Sequence, residues 1–94
     1  LVESKGDRAI YRQDTAWLRE CDLVIAECTQ PSLGVGYELA YAERYNKPVY
    51  IFYCKDGNLS AMLAGNEYFR VYSYACEDAL LARIRKILSD ANIG

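Results

Sequence analysis

The residues of this chain best suited to do chemistry are two carboxylates and one glycine-containing loop. The run Thr29-Gln30-Pro31-Ser32-Leu33-Gly34-Val35-Gly36-Tyr37-Glu38-Leu39 follows an apolar stretch, Leu23-Val24-Ile25-Ala26, and opens an amphipathic one, Tyr37 to Tyr45. That order reads strand, loop, helix. Free backbone N–H groups at the start of a helix seat an anion, and Glu38 stands within the first turns of the same helix. The pattern predicts a site that holds a phosphate at one end and does carboxylate chemistry a short distance away. Six positions separate Ser32 from Glu38, or ~9 Å at helical rise. That is the order of the distance from a nucleotide's 5′-phosphate to its anomeric carbon. Asp14 offers a second carboxylate, inside an apolar stripe of Ile10, Trp17, Leu18 and Cys21. A charge there is costly unless it is paired or faces a cavity. Two carboxylates around an anomeric carbon are what glycosidic cleavage needs: one at the oxocarbenium-like centre, the other for the leaving group's proton.

Each of these residues also has an ordinary structural use. Ser32 is a good helix cap, and Glu38 near a helix start complements the dipole. Gly34 and Gly36 cost up to ~1 kcal/mol each relative to alanine in a helix, and close approach of a ligand would explain tolerating both. Glu27, at the end of the strand, serves either the site or a structural hydrogen bond.

Composition removes other chemistries. The chain has no histidine, which excludes Ser–His and Cys–His catalysis within it and most common zinc sites. Acid–base work falls to Asp, Glu, Tyr, Lys or Cys. Cys21, Cys28, Cys54 and Cys76 show no C-x-x-C spacing, so a reducing cytoplasm is expected (the nucleus too in a eukaryote) rather than a disulfide scaffold or a metal site. No metal or organic cofactor is expected. A net charge of −2 without a basic block points away from nucleic-acid polymers and membrane surfaces. No apolar run approaches the roughly 18 residues of a membrane span. Nine tyrosines supply half-buried aromatics, some of them lining a ligand pocket.

The elements that must position these groups alternate. The spacing predicts a helix over Asp7–Glu20, a strand over Leu23–Ala26, a helix from the Ser32 loop to about Asn46, and a strand over Val49–Tyr53. A short helix capped by Ser60 runs to about Gly65, a strand covers Phe69–Tyr72, and a closing helix covers Cys76–Asp90 with Leu80, Ile84, Ile87 and Leu88 on its buried face. Such alternation predicts a single α/β domain over 1–94, with a parallel sheet covered on both faces and ligands at the carboxyl ends of its strands. Three strands are few for such a sheet. An N-terminal strand and helix absent from this chain, or dependence on a partner, is expected.

Four segments together carry a family resemblance: Asp14-Thr15-Ala16-Trp17-Leu18, Cys21-Asp22-Leu23-Val24-Ile25-Ala26-Glu27, Thr29 to Leu39, and Leu59-Ser60-Ala61-Met62. They resemble the nucleoside 2-deoxyribosyltransferase superfamily, and most closely its hydrolytic branch, the 2′-deoxynucleoside 5′-phosphate N-hydrolases. The resemblance covers most of residues 7 to 75, and Pro31–Leu39 is its specific part. It implies a three-layer, flavodoxin-like or Rossmann-like parallel sheet, of which this chain is the C-terminal larger part. It implies hydrolysis of the N-glycosidic bond of deoxynucleoside 5′-monophosphates to free base and deoxyribose 5-phosphate. By the same resemblance Glu38 is the nucleophile and Asp14 acts near the base and sugar. Ser32 and the N–H of Gly34 hold the phosphate, and Ser60 reaches it across a homodimer interface, with Met62 and Tyr37 near the pocket. Members of the superfamily begin with a strand and a glycine-rich segment that are not seen before Leu1, and the resemblance implies that these complete the wall of the site. The rival readings are deoxyribosyl transfer between bases, which needs no phosphate seat, and a non-catalytic nucleotide-binding module.

Overall fold

The structure, a computed structural model, describes residues 6–93; residues 1–5 and 94, the ends of the expected 1–94 domain, lie outside the described residues. Its elements are α1 (Asp7–Glu20), β1 (Val24–Glu27), α2 (Leu33–Arg44), β2 (Val49–Cys54), α3 (Ala61–Ala64), β3 (Arg70–Tyr74) and α4 (Glu77–Asp90). All seven expected elements form, in the expected order. Their ends move by a residue or two for local reasons. β1 extends to Glu27 because that residue pairs with Phe52 of β2. α2 stops at Arg44 because Asn46 turns left-handed, with φ 60°, a conformation asparagine tolerates. Lys47 N–H then closes on the Ala42 carbonyl at 2.9 Å.

The three strands are parallel in the order β1-β2-β3. Val24 aligns with Val49, and Tyr50 with Arg70. Side chains alternate across the sheet. On one face Val49 and Ile51 join Leu39 and Ala42 of α2, together with Cys28 and Phe69, in the main core. None of Val49, Ile51, Leu39 and Ala42 is more than 1% exposed. On the other face Phe52 stacks on Tyr72, with ring centroids 5.5 Å apart, and α4 lies against β3.

Two expected apolar faces are only partly covered. On α1, Leu18 packs against the core, but Ile10 is 44% and Trp17 61% exposed, and Thr15 takes the buried position. The cause is placement: α1 lies along α2, so only the flank carrying Thr15 and Leu18 is covered. Thr15 satisfies its hydroxyl by donating to the Tyr11 carbonyl at 2.7 Å. On α4 only Ile87 of the four expected residues is fully buried. That helix rests on the edge strand β3, which has width to cover little more than one helical row.

Because α2 reaches the sheet through Leu39 and Ala42, truncating Leu39 removes the main apolar contact that holds it. Leu39→Ala is expected to cost about 2–5 kcal/mol, read as a fall in the urea midpoint with little change in slope.

Candidate functional site

The amino end of α2 is built as the sequence predicts. Ser32 has extended backbone, and its Oγ accepts from Val35 N–H at 3.2 Å. The neighbouring N–H groups of Leu33 and Gly34 belong to the first helical turn, which has no intrahelical acceptors for them. A Cβ on Gly36 would meet nothing within 4 Å, and one on Gly34 only Ser32 Oγ at 4.0 Å. The protein's own packing therefore does not require either glycine. Both lie where an outside group can come close to the backbone.

Asp14 and Glu38 do meet. α1 and α2 run side by side, and the two half-buried carboxyl groups are within hydrogen-bonding reach of one another. Glu38 is pushed above the ordinary carboxylate range, first by burial and then by the hydrogen bond and charge of Asp14. Tyrosines stand on the same two helices. Tyr11, one turn before Asp14, lies 6.2 Å from Tyr37 between ring centroids. Tyr37, Tyr41 and Tyr45 follow one another at four-residue spacing along α2, with Tyr41 stacked on Tyr45 at 4.8 Å. Arg19 Nη1 donates to Tyr41 Oη at 2.6 Å and fixes the middle of the row.

A cavity of about 620 Å³ opens on the other flank of α2, and Ser32, Tyr37, Ser60 and Met62 line it together with Leu63 and Phe69. Ser60 caps α3, its Oγ accepting from Met62 N–H at 3.3 Å. Met62 is 82% exposed. Asp14 and Glu38 do not line this cavity. The reason is helical geometry: Gly36 and Ala40 face the cavity, and Glu38, two residues from each, points about 160° away at 3.6 residues per turn. The predicted residues thus fall into two groups, Ser32, Ser60 and Met62 on one flank and Asp14 with Glu38 on the other. Tyr37 belongs to both, and Gly34 sits at the helix mouth between them.

The structure adds two groupings that the sequence did not disclose. Glu27 is tied at the carboxyl ends of the strands. It accepts from Thr29 N–H at 3.0 Å, from the Thr29 hydroxyl, and from Tyr74 Oη. Thr29 Oγ1 in turn accepts from Cys54 N–H at 2.9 Å. Burial alone would raise the Glu27 carboxyl, but these hydrogen bonds outweigh it and hold it below its usual range. Of the two uses open to Glu27, the structural hydrogen bond is the one seen. Glu27-x-Thr29 was a local signal for it; Tyr74, in a different strand, had none. The second grouping is Asn66, whose Nδ2 donates to Glu43 Oε1 at 2.8 Å on the cavity wall. Among the described residues no cluster of His, Cys, Asp and Glu could hold a metal ion, and no helix is long and apolar enough to cross a membrane.

Residues 2–79 match the nucleoside 2-deoxyribosyltransferase family. The chain belongs to that family. A mouse protein named 5-hydroxymethyl-dUMP N-hydrolase is 49% identical over 78 residues, covering 78% of this chain and 45% of that protein. A protein of Syntrophotalea carbinolica, provisionally named 2′-deoxynucleoside 5′-phosphate N-hydrolase 1, is 42% identical over 91 residues, covering 95% of this chain and 64% of that one. The chain therefore spans about half to two thirds of the length of these relatives. The structure of a CMP N-glycosidase from Clostridium botulinum superposes with a TM-score of 0.74 at 22% identity, over 83% of this chain and 73% of that one. It shares the fold, as the expected parallel α/β class requires.

The raised Glu38 carboxyl has a consequence for stability. Its folded value lies above the unfolded one, near 4.5, so the ionised form opposes folding. This contribution is absent below the unfolded value and grows as pH rises from there to the folded value. Glu38→Gln is therefore expected to raise the thermal midpoint at pH 7 and to leave it nearly unchanged at about pH 4, by thermal denaturation across that range.

Proposed function

We propose that this chain belongs to a hydrolase that cleaves the N-glycosidic bond of 2′-deoxynucleoside 5′-monophosphates, releasing free base and deoxyribose 5-phosphate. The observation that carries the reading is the contact between Asp14 and Glu38 one helical turn and a half beyond the open helix mouth at Ser32 and Gly34. The hydrolase names of the relatives support it. The phosphate sits on the N–H groups of the first turn and the Ser32 hydroxyl, which can turn from Val35 to donate. This places the sugar along α2 toward Glu38. The Glu38 carboxylate attacks the anomeric carbon as the bond to the base breaks. The base leaves with the bonding electron pair and takes the proton that Asp14 has accepted from Glu38 across their hydrogen bond. Water then displaces Glu38, its proton returning to Asp14. The exposed rings of Tyr11 and Tyr37 on the same two helices offer a stacking surface to the base. No cofactor enters any step.

The reactive state needs an ionised Glu38. It also needs the proton that Asp14 delivers, and loss of the pair's last proton is pushed above the ordinary carboxylate value of 4.5 by burial and by the charge of Asp14, so this titration is expected as the alkaline limb of kcat/KM. Glu38→Gln is expected to abolish most turnover while binding persists, and Asp14→Asn to lower kcat by about 10²–10⁴-fold. Steady-state hydrolysis of deoxynucleoside monophosphates checks both; near-normal turnover of Glu38→Gln overturns the reading. Charge-assisted hydrogen bonds to the phosphate contribute roughly 1.5–3 kcal/mol each. Equal rates on free deoxynucleosides would instead favour transfer between bases.

The working form in this reading is a symmetric homodimer in the cytoplasm. Four free thiols fit a reducing compartment. Leu33, 97% exposed, together with Met62 and Tyr37, forms apolar surface at the cavity. A second copy would cover it and bring its own Ser60 to the phosphate. Mixing inactive Glu38→Gln with inactive Ser60→Ala is then expected to restore activity, because each heterodimer keeps one intact site. No recovery on mixing would assign Ser60 to its own chain's cavity.

A further inference from the structure

The opposite end of the sheet holds a second cavity, of about 400 Å³, that the reaction does not use. Strand register creates it. Tyr50 of β2 stands beside Arg70 of β3, and Phe52 beside Tyr72, so residues 50, 70 and 72 share the face that α4 covers. Arg83, Lys86 and Asp90 recur along α4 at the same cavity. Arg70 Nη1 donates to Tyr50 Oη at 2.6 Å and lies 5.1 Å over that ring. Arg83 lies 4.7 Å over the ring of Tyr72. The lining therefore holds three cations and a single carboxylate, Asp90, which pairs with Lys86 at 3.4 Å. In a chain of net charge −2, this convergence of positive charge runs against the overall balance.

We infer that this cavity is a second binding site, for a nucleotide-class ligand that joins a planar ring to a phosphate. Each guanidinium is held at a tyrosine ring, Arg70 at Tyr50 and Arg83 at Tyr72. Guanidinium groups fixed in this way offer planar cationic surfaces on which a nucleobase can stack. Their remaining N–H groups and the Lys86 ammonium meet the phosphate oxygens. Binding displaces Lys86 from Asp90, and Asp90 acts as an internal competitor for the anion. The size falls within the range of pockets that enclose small ligands, about 300–1,000 Å³. The site lies at the amino ends of β2 and β3, away from the mouth of α2, and does not depend on the hydrolase reading.

The test is titration of the ¹⁵N-labelled full chain carrying Glu38→Gln with AMP, adenosine or inorganic phosphate. AMP is expected to shift the amides of residues 70–72 and 83–91 in a saturable way, and the other two probes to bind there at least tenfold more weakly. Arg83→Ala is expected to weaken AMP at least tenfold. Asp90→Asn is expected to tighten it severalfold, an effect that loss of fold cannot produce. Shifts confined to residues 32–38 overturn the site, as does AMP affinity unchanged in both variants. Hydrolysis assays play no part in the result, so failure here leaves the proposed reaction standing, and failure of that reaction leaves this site standing.

Discussion

The seating of Leu39 and Ala42 of α2 on Val49 and Ile51 of the sheet is the constraint from which the rest of the architecture follows. These four side chains are closed to solvent, and burying each larger one contributes roughly 1.5–3 kcal/mol. That contact sets the rotation of α2 about its own axis. Once residues 39 and 42 point down, 3.6 residues per turn leave no freedom for the others. Glu38 must face α1, Gly36 and Ala40 must face the cavity, and the tyrosines at 37, 41 and 45 must point outward. The separation of the carboxylate pair from the serine-lined cavity is thus a product of core packing.

The same packing brings two acidic groups together. Placing Glu38 beside Asp14 in a half-buried crevice raises the Glu38 carboxyl through lost hydration and through the neighbouring acid. The arrangement opposes folding at neutral pH and persists because the core of α2 and the cover of α1 outweigh it. A structural role alone gives no reason for it, since a single polar residue at either position would pack as well without the repulsion. At the carboxyl end of β1, Glu27 shows the contrary case. There three hydrogen bonds hold a carboxylate ionised, and a fourth, from Cys54 N–H to Thr29, brings in the end of the middle strand. Two glutamates, eleven positions apart, take opposite roles because one faces an acid and the other faces donors.

The two ends of the sheet also differ in charge. The carboxyl ends lead into the acidic pair and the open N–H groups of α2. The amino ends carry Arg70, Arg83 and Lys86 over tyrosine faces. Parallel strands make this polarity possible, since every strand presents the same end to the same side.

The alternation of apolar runs and amphipathic stretches was enough to place all seven elements, and Ser32 and Ser60 were legible as caps from their position ahead of helices. Local signals of this kind depend on neighbours in the chain, and the fold class follows from their order. The motif around Glu38 and the pairing with Asp14 came from residue pattern and resemblance; that the two carboxyls share a crevice was settled by α1 lying along α2. Exposure of Ile10 and Trp17 could not be read from the period of α1, because period reports which residues share a face and not how much of that face a neighbour covers. Likewise the joining of Glu27 to Tyr74 and the gathering of Arg70 with Arg83 depend on strand register and helix placement. Such contacts between distant positions leave no trace in local sequence, and only the folding of the chain upon itself decides them.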